Sequence, residues 1–166
     1  MRAVVVAASV LLLASCSSWK VQSPPRPVLL PFAELPPGTA EICVVRTSVL
    51  AQAVAFPTRD NGVLVGATKG PTYFCYLAGE GRHDITVESD DVDEAVLQAE
   101  AGKRYWLKHE VDFIFGHVGC RPVWLDESVA RSELAAADHE VLVGVPGDEK
   151  LPGDRPFVRG RRTPLP

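Results

Sequence analysis

The middle of this chain alternates apolar and polar residues with a period of two, and β-branched and aromatic side chains fill much of the alternation. A strand turns successive side chains to opposite faces, whereas a helix repeats about every 3.6 residues. This period therefore calls for strands. The pattern places them at 41–47, 53–58, 63–67, 72–77, 83–88, 95–100, 104–112 and 121–126. Turn chemistry separates them at Asp60-Asn61-Gly62, Lys69-Gly70-Pro71, Gly79-Glu80-Gly81, Ala101-Gly102-Lys103 and 116–119. Short strands at roughly ten-residue spacing predict a mainly β fold, a single antiparallel β-sandwich of about seven to eight short strands. One short C-terminal helix follows at "DESVARSELAAAD", with Asp126 or Ser128 as its cap and Val129, Leu134 and Ala130 as a thin apolar face.

The prolines set the limits of this domain. Of 14, six fall between Ser17 and Pro37 and five between Pro146 and Pro166. Each proline removes a backbone donor and restricts the residue before it, so "PPRPVLLPFAELPPG" is not a helix. Residues 16–38 are expected to form a semi-rigid tether, 39–145 the sandwich, and 146–166, with its five basic residues, a disordered tail.

Ahead of the tether, 3–14 is apolar except for Ser9 and follows Arg2. As a helix it covers roughly 18 Å, short of the roughly 30 Å hydrocarbon core, so it reads as a signal peptide over 1–15 rather than a span. Leu13-Ala14-Ser15-Cys16 resembles the lipobox of bacterial lipoproteins. The resemblance implies cleavage before Cys16, acylation of that cysteine (palmitate among the chains), and a lipid bilayer as partner. Two or three acyl chains hold a protein on a membrane where one does so only marginally. Ser17 stands where an aspartate would resemble an inner-membrane retention signal, which points to the outer membrane, facing the periplasm.

Within the domain, "AEICVVR", "NGVLVGATKGPTYFCYLAGEGRHDITVE", "VLQAEAGKRYWLKHEV" and "DESVARSEL" follow one another. This order resembles an uncharacterised family of small bacterial lipoproteins with a transthyretin-like or carboxypeptidase-regulatory-like β-sandwich. The family pattern includes a Pro-Gly-x-His turn and an Ala-Gly-Lys-x-Tyr-Tyr turn. Here Ala78 stands in place of the proline, two extra residues precede His83, and Trp106 replaces the second tyrosine. The resemblance implies the fold and brings no catalytic residues.

The net charge of −4 makes nucleic acid an unsuitable partner. No Gly-x-Ser-x-Gly is present, and Cys75, a conceivable thiol–imidazole partner for His83, lies in the apolar "TYFCYL". His117 and Cys120 have zinc-like H-x2-C spacing, with His109, Glu110 and Asp112 nearby, but no second ligand pair is marked. "ESDDVDE" lacks the glycine and spacing of a calcium loop and reads as a solvated connection. Among the aromatics, Tyr73 shares one strand face with Cys75, and Phe74 shares the other with Tyr76; one set is core and the other a candidate binding surface. Besides Cys16, the cysteines are Cys43, Cys75 and Cys120, for which three pairings are open. Cys75–Cys120 is preferred, because a glycine-rich loop precedes Cys120.

These features predict a non-catalytic envelope protein without a cofactor, binding or supporting an envelope protein or cell-wall component. The alternatives are a metal-assisted hydrolase in which His109, His117 or Cys120 converge around an ion, or an inhibitor or chaperone of an envelope enzyme acting through a strand edge. Cys16→Ala is expected to leave the protein unprocessed or soluble. Membrane fractionation with mass spectrometry of the N-terminus checks this, and unchanged cleavage and fractionation would refute it.

Overall fold

The computed structural model describes residues 18–24, 34–153 and 155–162; Cys16 and the expected signal peptide lie outside them. In chain order the elements are β1 (Lys20–Gln22), β2 (Thr39–Val45), β3 (Ala55–Asp60), β4 (Val63–Lys69), β5 (Thr72–Gly79), β6 (Gly81–Glu88), β7 (Val92–Ala99), β8 (Arg104–Ile114) and β9 (His117–Leu125). After them come α1 (Glu127–Ala135), β10 (Asp138–His139), β11 (Val141–Gly144) and β12 (Phe157–Val158). Strands β2 to β9 overlap the eight alternating segments, with ends displaced by up to four residues, as where β9 begins at His117 rather than 121. Asn61 and Gly62, both at positive φ, close the β3–β4 hairpin in the two-residue turn that Asn-Gly favours.

The chain is mainly β with several antiparallel ladders, but its architecture departs from a single sandwich of seven to eight strands. Twelve strands among the described residues form three sheets: β1-β11, β4-β3-β6-β7, and the six-stranded β10-β5-β2-β8-β9 with β12 also on β5. The large sheet is mixed, since β2 runs parallel to β8, and β10 and β12 run parallel to β5. The additional strands are two to four residues long, too short to display a period.

The two larger sheets share one core. Ile42, Val44, Phe74, Tyr76 and Leu107 come from the large sheet, and Val65, Ile85, Ala95 and Ala99 from the four-stranded one. The Phe74 ring lies where a side chain on Gly66 would have to stand, so glycine there permits the sheets to approach. Helix α1 touches the other face of the large sheet. Ala130 is its buried residue, Val129 is exposed, and Asp126 makes no side-chain cap. Glu133 fastens the helix by accepting from Thr47 Oγ1 and Lys108 Nζ, both at 2.6 Å.

The segments expected to be a tether and a tail are partly built into the fold. Lys20–Gln22 pairs with β11, and Trp19 and Val21 pack against Leu64, Ala67 and Leu142. In the expected tail, Glu149 accepts two hydrogen bonds from Arg59, Val158 enters the main core, and Arg161 exchanges backbone hydrogen bonds with Arg82. Both segments dock through neighbours distant in sequence, which no local pattern records.

The disulfide differs as well. Cys43 and Cys75 face each other directly in the β2–β5 register, with Cα atoms 4.0 Å apart, and are bonded. Cys120 is a free thiol buried with Phe56 and Val87. Cys75–Cys120 is not formed because Cys75 points to the helix side of the large sheet and Cys120 to its inner side. Closing the 32-residue separation contributes roughly 3–4 kcal/mol in the chain-entropy model. Non-reducing peptide mapping is expected to yield a Cys43–Cys75 cross-link and one thiol that alkylates only after denaturation. Val158→Ala is expected to cost about 1–2 kcal/mol in urea unfolding, a loss that a disordered tail would not produce.

Candidate functional site

Two polar clusters lie between the sheets, one toward each end. At the first, Asp60 ends β3, His83 lies on β6 and Tyr76 on β5, all fully or almost fully buried. His83 Nδ1 is 2.7 Å from Asp60 Oδ2, His83 Nε2 is 2.8 Å from the Gly79 carbonyl, and Tyr76 OH donates to Asp60 at 2.9 Å. Both ring nitrogens face acceptors, so both donate and the imidazole is cationic. Burial alone would lower the His83 pKa; the hydrogen bonds to Asp60 and Gly79, with the nearby carboxylate charge, outweigh it and hold the pKa above its ordinary value.

At the second cluster, Arg46 at the end of β2 is fully buried. Its guanidinium donates to the carbonyls of Ser48, Leu50 and Val54 and stacks 4.6 Å from the centre of the Phe56 ring. His109, on β8, meets the hydroxyls of Thr68 and Thr58 at 2.9 and 3.5 Å. Burial, reinforced by the charge of Arg46, pushes the His109 pKa down to about 3, so the ring is neutral. Burial pushes the Cys120 thiol up to about 12, against the opposing pull of Arg46. A thiol in that state is protonated at neutral pH and is not a nucleophile.

The residues named from the sequence are dispersed by the period of two. Cys75 and His83 lie on different faces, one in a disulfide and the other paired with Asp60. His117 and Cys120 are three apart on β9 and point oppositely: His117 is exposed against Asp91 at 2.7 Å, and Cys120 is buried. Glu110 and Asp112 turn outward while His109 turns inward; Glu110 pairs with Arg121. Among the described residues no three His, Cys, Asp or Glu side chains gather as a metal site. "ESDDVDE" holds a tight turn, with Ser89 bonded to Asp91 and Asp90 bonded to the backbone of Val118. Of the aromatics, Phe74 and Tyr76 stack in the core, and half-buried Tyr73 stacks on His139.

An exposed apolar tip lies at the end of the two facing sheets where β8 turns into β9. Phe115 at φ 50° and Gly116 at φ 88° close a two-residue turn between the paired Ile114 and His117. Phe115 is fully exposed, and Phe113 and Ile114 are more than half exposed. A bulky side chain in the left-handed region costs about 1–2 kcal/mol, and a type I′ turn ordinarily holds asparagine or glycine there. The β2–β3 loop leaves the sheet at the same end, since β2 and β8 are parallel, and adds exposed Val49 and Leu50. Beside the hairpin, a hollow of about 380 Å³ is lined by Thr47, Lys108, Glu110, Asp112 and Arg121, but Lys108 and Arg121 are already ion-paired. The sequence marks a turn at 116–119, whereas the structure turns at Phe115-Gly116 and begins β9 at His117; the two buried clusters carry no local mark.

No known protein family, curated protein or solved structure matches the chain.

The two buried histidines act in opposite pH windows. His109 stays neutral when folded, whereas an unfolded histidine takes up a proton near pH 6.5. The unfolded state therefore binds more protons below that pH, and stability falls toward pH 3 by up to about 1.4 kcal/mol per unit. His83 does the reverse: its contribution is complete below pH 6.5 and is lost as pH rises through its elevated folded value. Urea titrations between pH 7 and 4 are expected to show the acid slope in the native chain and a flatter one in His109→Gln.

Proposed function

We propose that the protein is a lipid-anchored bacterial envelope protein of the β-sandwich type that acts without catalysis, as a binding module whose contact element is the β8–β9 hairpin tip. The observation that carries the binding role is Phe115, which is fully exposed and held at positive φ directly after two further exposed apolar residues, Phe113 and Ile114. Backbone strain combined with an apolar patch is retained where it serves contact rather than stability. The anchor rests on Leu13-Ala14-Ser15-Cys16, whose resemblance to a lipobox supports a bilayer as first partner.

The non-catalytic reading is supported by how the reactive groups are used. Cys43 and Cys75 are joined, Cys120 is sealed and protonated, His83 is consumed by Asp60 and Gly79, and His109 is neutral between two threonines. The hydrolase alternative needs His109, His117 or Cys120 to converge with other ligands around an ion, and among the described residues no three His, Cys, Asp or Glu side chains gather. His117 is on the surface while the other two are inside.

A photoreactive side chain at position 115 is expected to give a discrete cross-linked species in intact cells, and one at Ser132 on the far side of the helix none. Identical patterns at both positions would sink the binding role. Phe115→Asn is expected to raise stability by up to about 1 kcal/mol, because asparagine tolerates the left-handed region, while abolishing the adduct formed from a photoreactive side chain at exposed position 113.

A further inference from the structure

We infer that the end of the sandwich opposite the hairpin is a membrane-facing surface, lying on an anionic bilayer, so that the Phe113–Phe115 tip points away from the lipid. This rests on the reading of Cys16 as the lipidated residue.

The first support is chain length. Cys16 is four residues from Lys20, where β1 begins to pair with β11. At no more than about 3.6 Å per residue, the anchor lies within roughly 14 Å of a docked strand. There is no long spacer on the membrane side, because the proline-rich segment 23–38 joins β1 to β2 rather than Cys16 to the domain. Lys20 pairs with Gly144 and Gln22 with Val141. The chain beyond Gly144 continues to Val145, packed near Leu64, and to 148–153, which borders Gly62 to Leu64. Those are the first residues of β4, at the end away from the hairpin, so β1 enters the fold at that end.

The second support is charge. The basic tail docks at the same end: the carbonyl of Arg159 accepts from Asn61 in the β3–β4 turn, and Arg161 bridges to Arg82 at the start of β6. Exposed Arg82, Lys103, Arg159, Arg161 and Arg162 gather around the β3–β4, β5–β6 and β7–β8 turns. Glu80, Asp84 and Glu100 lie among them, Asp84 bonded by both Arg82 and Arg161, and Asp148 and the Arg59-paired Glu149 lie in the segment bordering Gly62 to Leu64. The hairpin end instead carries Asp90, Asp91, Glu110 and Asp112 around His117 and Arg121. A lipid anchor within 14 Å brings the basic end close to the anionic headgroup field, which decays over about 8 Å at physiological salt, and turns the acidic end away from it.

The test uses the lipid-modified full chain in vesicles of phosphatidylcholine alone or mixed with phosphatidylglycerol, read by hydrogen–deuterium exchange. Peptides covering 79–84, 100–104 and 157–162 are expected to exchange several-fold more slowly on the anionic vesicles, and 113–117 to be unchanged. Replacing Lys103, Arg159 and Arg162 together by glutamine leaves the Arg161–Asp84 pair intact and is expected to remove that protection, at about fivefold weaker surface attraction per charge. An acylated, vesicle-bound chain that exchanges equally on both vesicles, or that protects 113–117 instead, overturns the orientation alone. A chain without acyl mass on Cys16 overturns the anchor reading and the orientation with it.

Discussion

The ion pair between Asp60 and His83 is the constraint around which the two facing sheets are arranged. Asp60 and His83 belong to the four-stranded sheet, and Tyr76 and the Gly79 carbonyl that complete the cluster belong to the large one. Every polar atom in the group is satisfied only when β5 crosses β3 and β6 at this one position. A buried pair contributes little net stability, because desolvation offsets most of the Coulomb gain, but separating the partners costs about 3–5 kcal/mol. The cluster therefore acts mainly as a register lock: sliding one sheet against the other would leave a charge buried without its partner.

Arg46 performs a related task at the other end of the core. Its guanidinium is spent on three carbonyls of the β2–β3 loop, so that loop is shaped from inside the sandwich rather than by its own turn residues. The neutral state of His109 follows from the same placement, since a second cation beside a buried arginine is disfavoured. These polar groups are thus committed to holding the sheets. The hairpin tip and the basic end instead keep their side chains exposed.

Those two surfaces differ in sign and in kind. One end is apolar at its tip and acidic at its base, whereas the other is basic and receives both the N-terminal strand and the C-terminal segment. The disulfide lies on the helix side of the large sheet and ties β2 to β5, the two strands from which the Arg46 loop and the Asp60 cluster depart. The β8–β9 hairpin thus extends from a strand paired with the cross-linked β2.

Period-two alternation alone determined where eight strands run, and Asn61-Gly62 determined a hairpin turn, because both are local properties of backbone geometry. The helix was legible for the same reason. What the sequence left open were relations between distant segments. The pairing of Cys43 with Cys75 depends on the β2–β5 register, and the inward turn of Cys120 depends on which face of β9 meets Phe56 and Val87. Strand β12 is two residues long, and Val158 joins the core only because β5 offers an open edge beside Leu77 and Ala78. The candidate sites belong to the second kind: the glycine-rich segment 116–119 marked a turn, but the turn forms at Phe115-Gly116, and the Asp60–His83–Tyr76 cluster and the basic end exist only once the two sheets have closed. Hydrogen bonds and charges between residues far apart in sequence have no local signature, so the tertiary structure alone decided them.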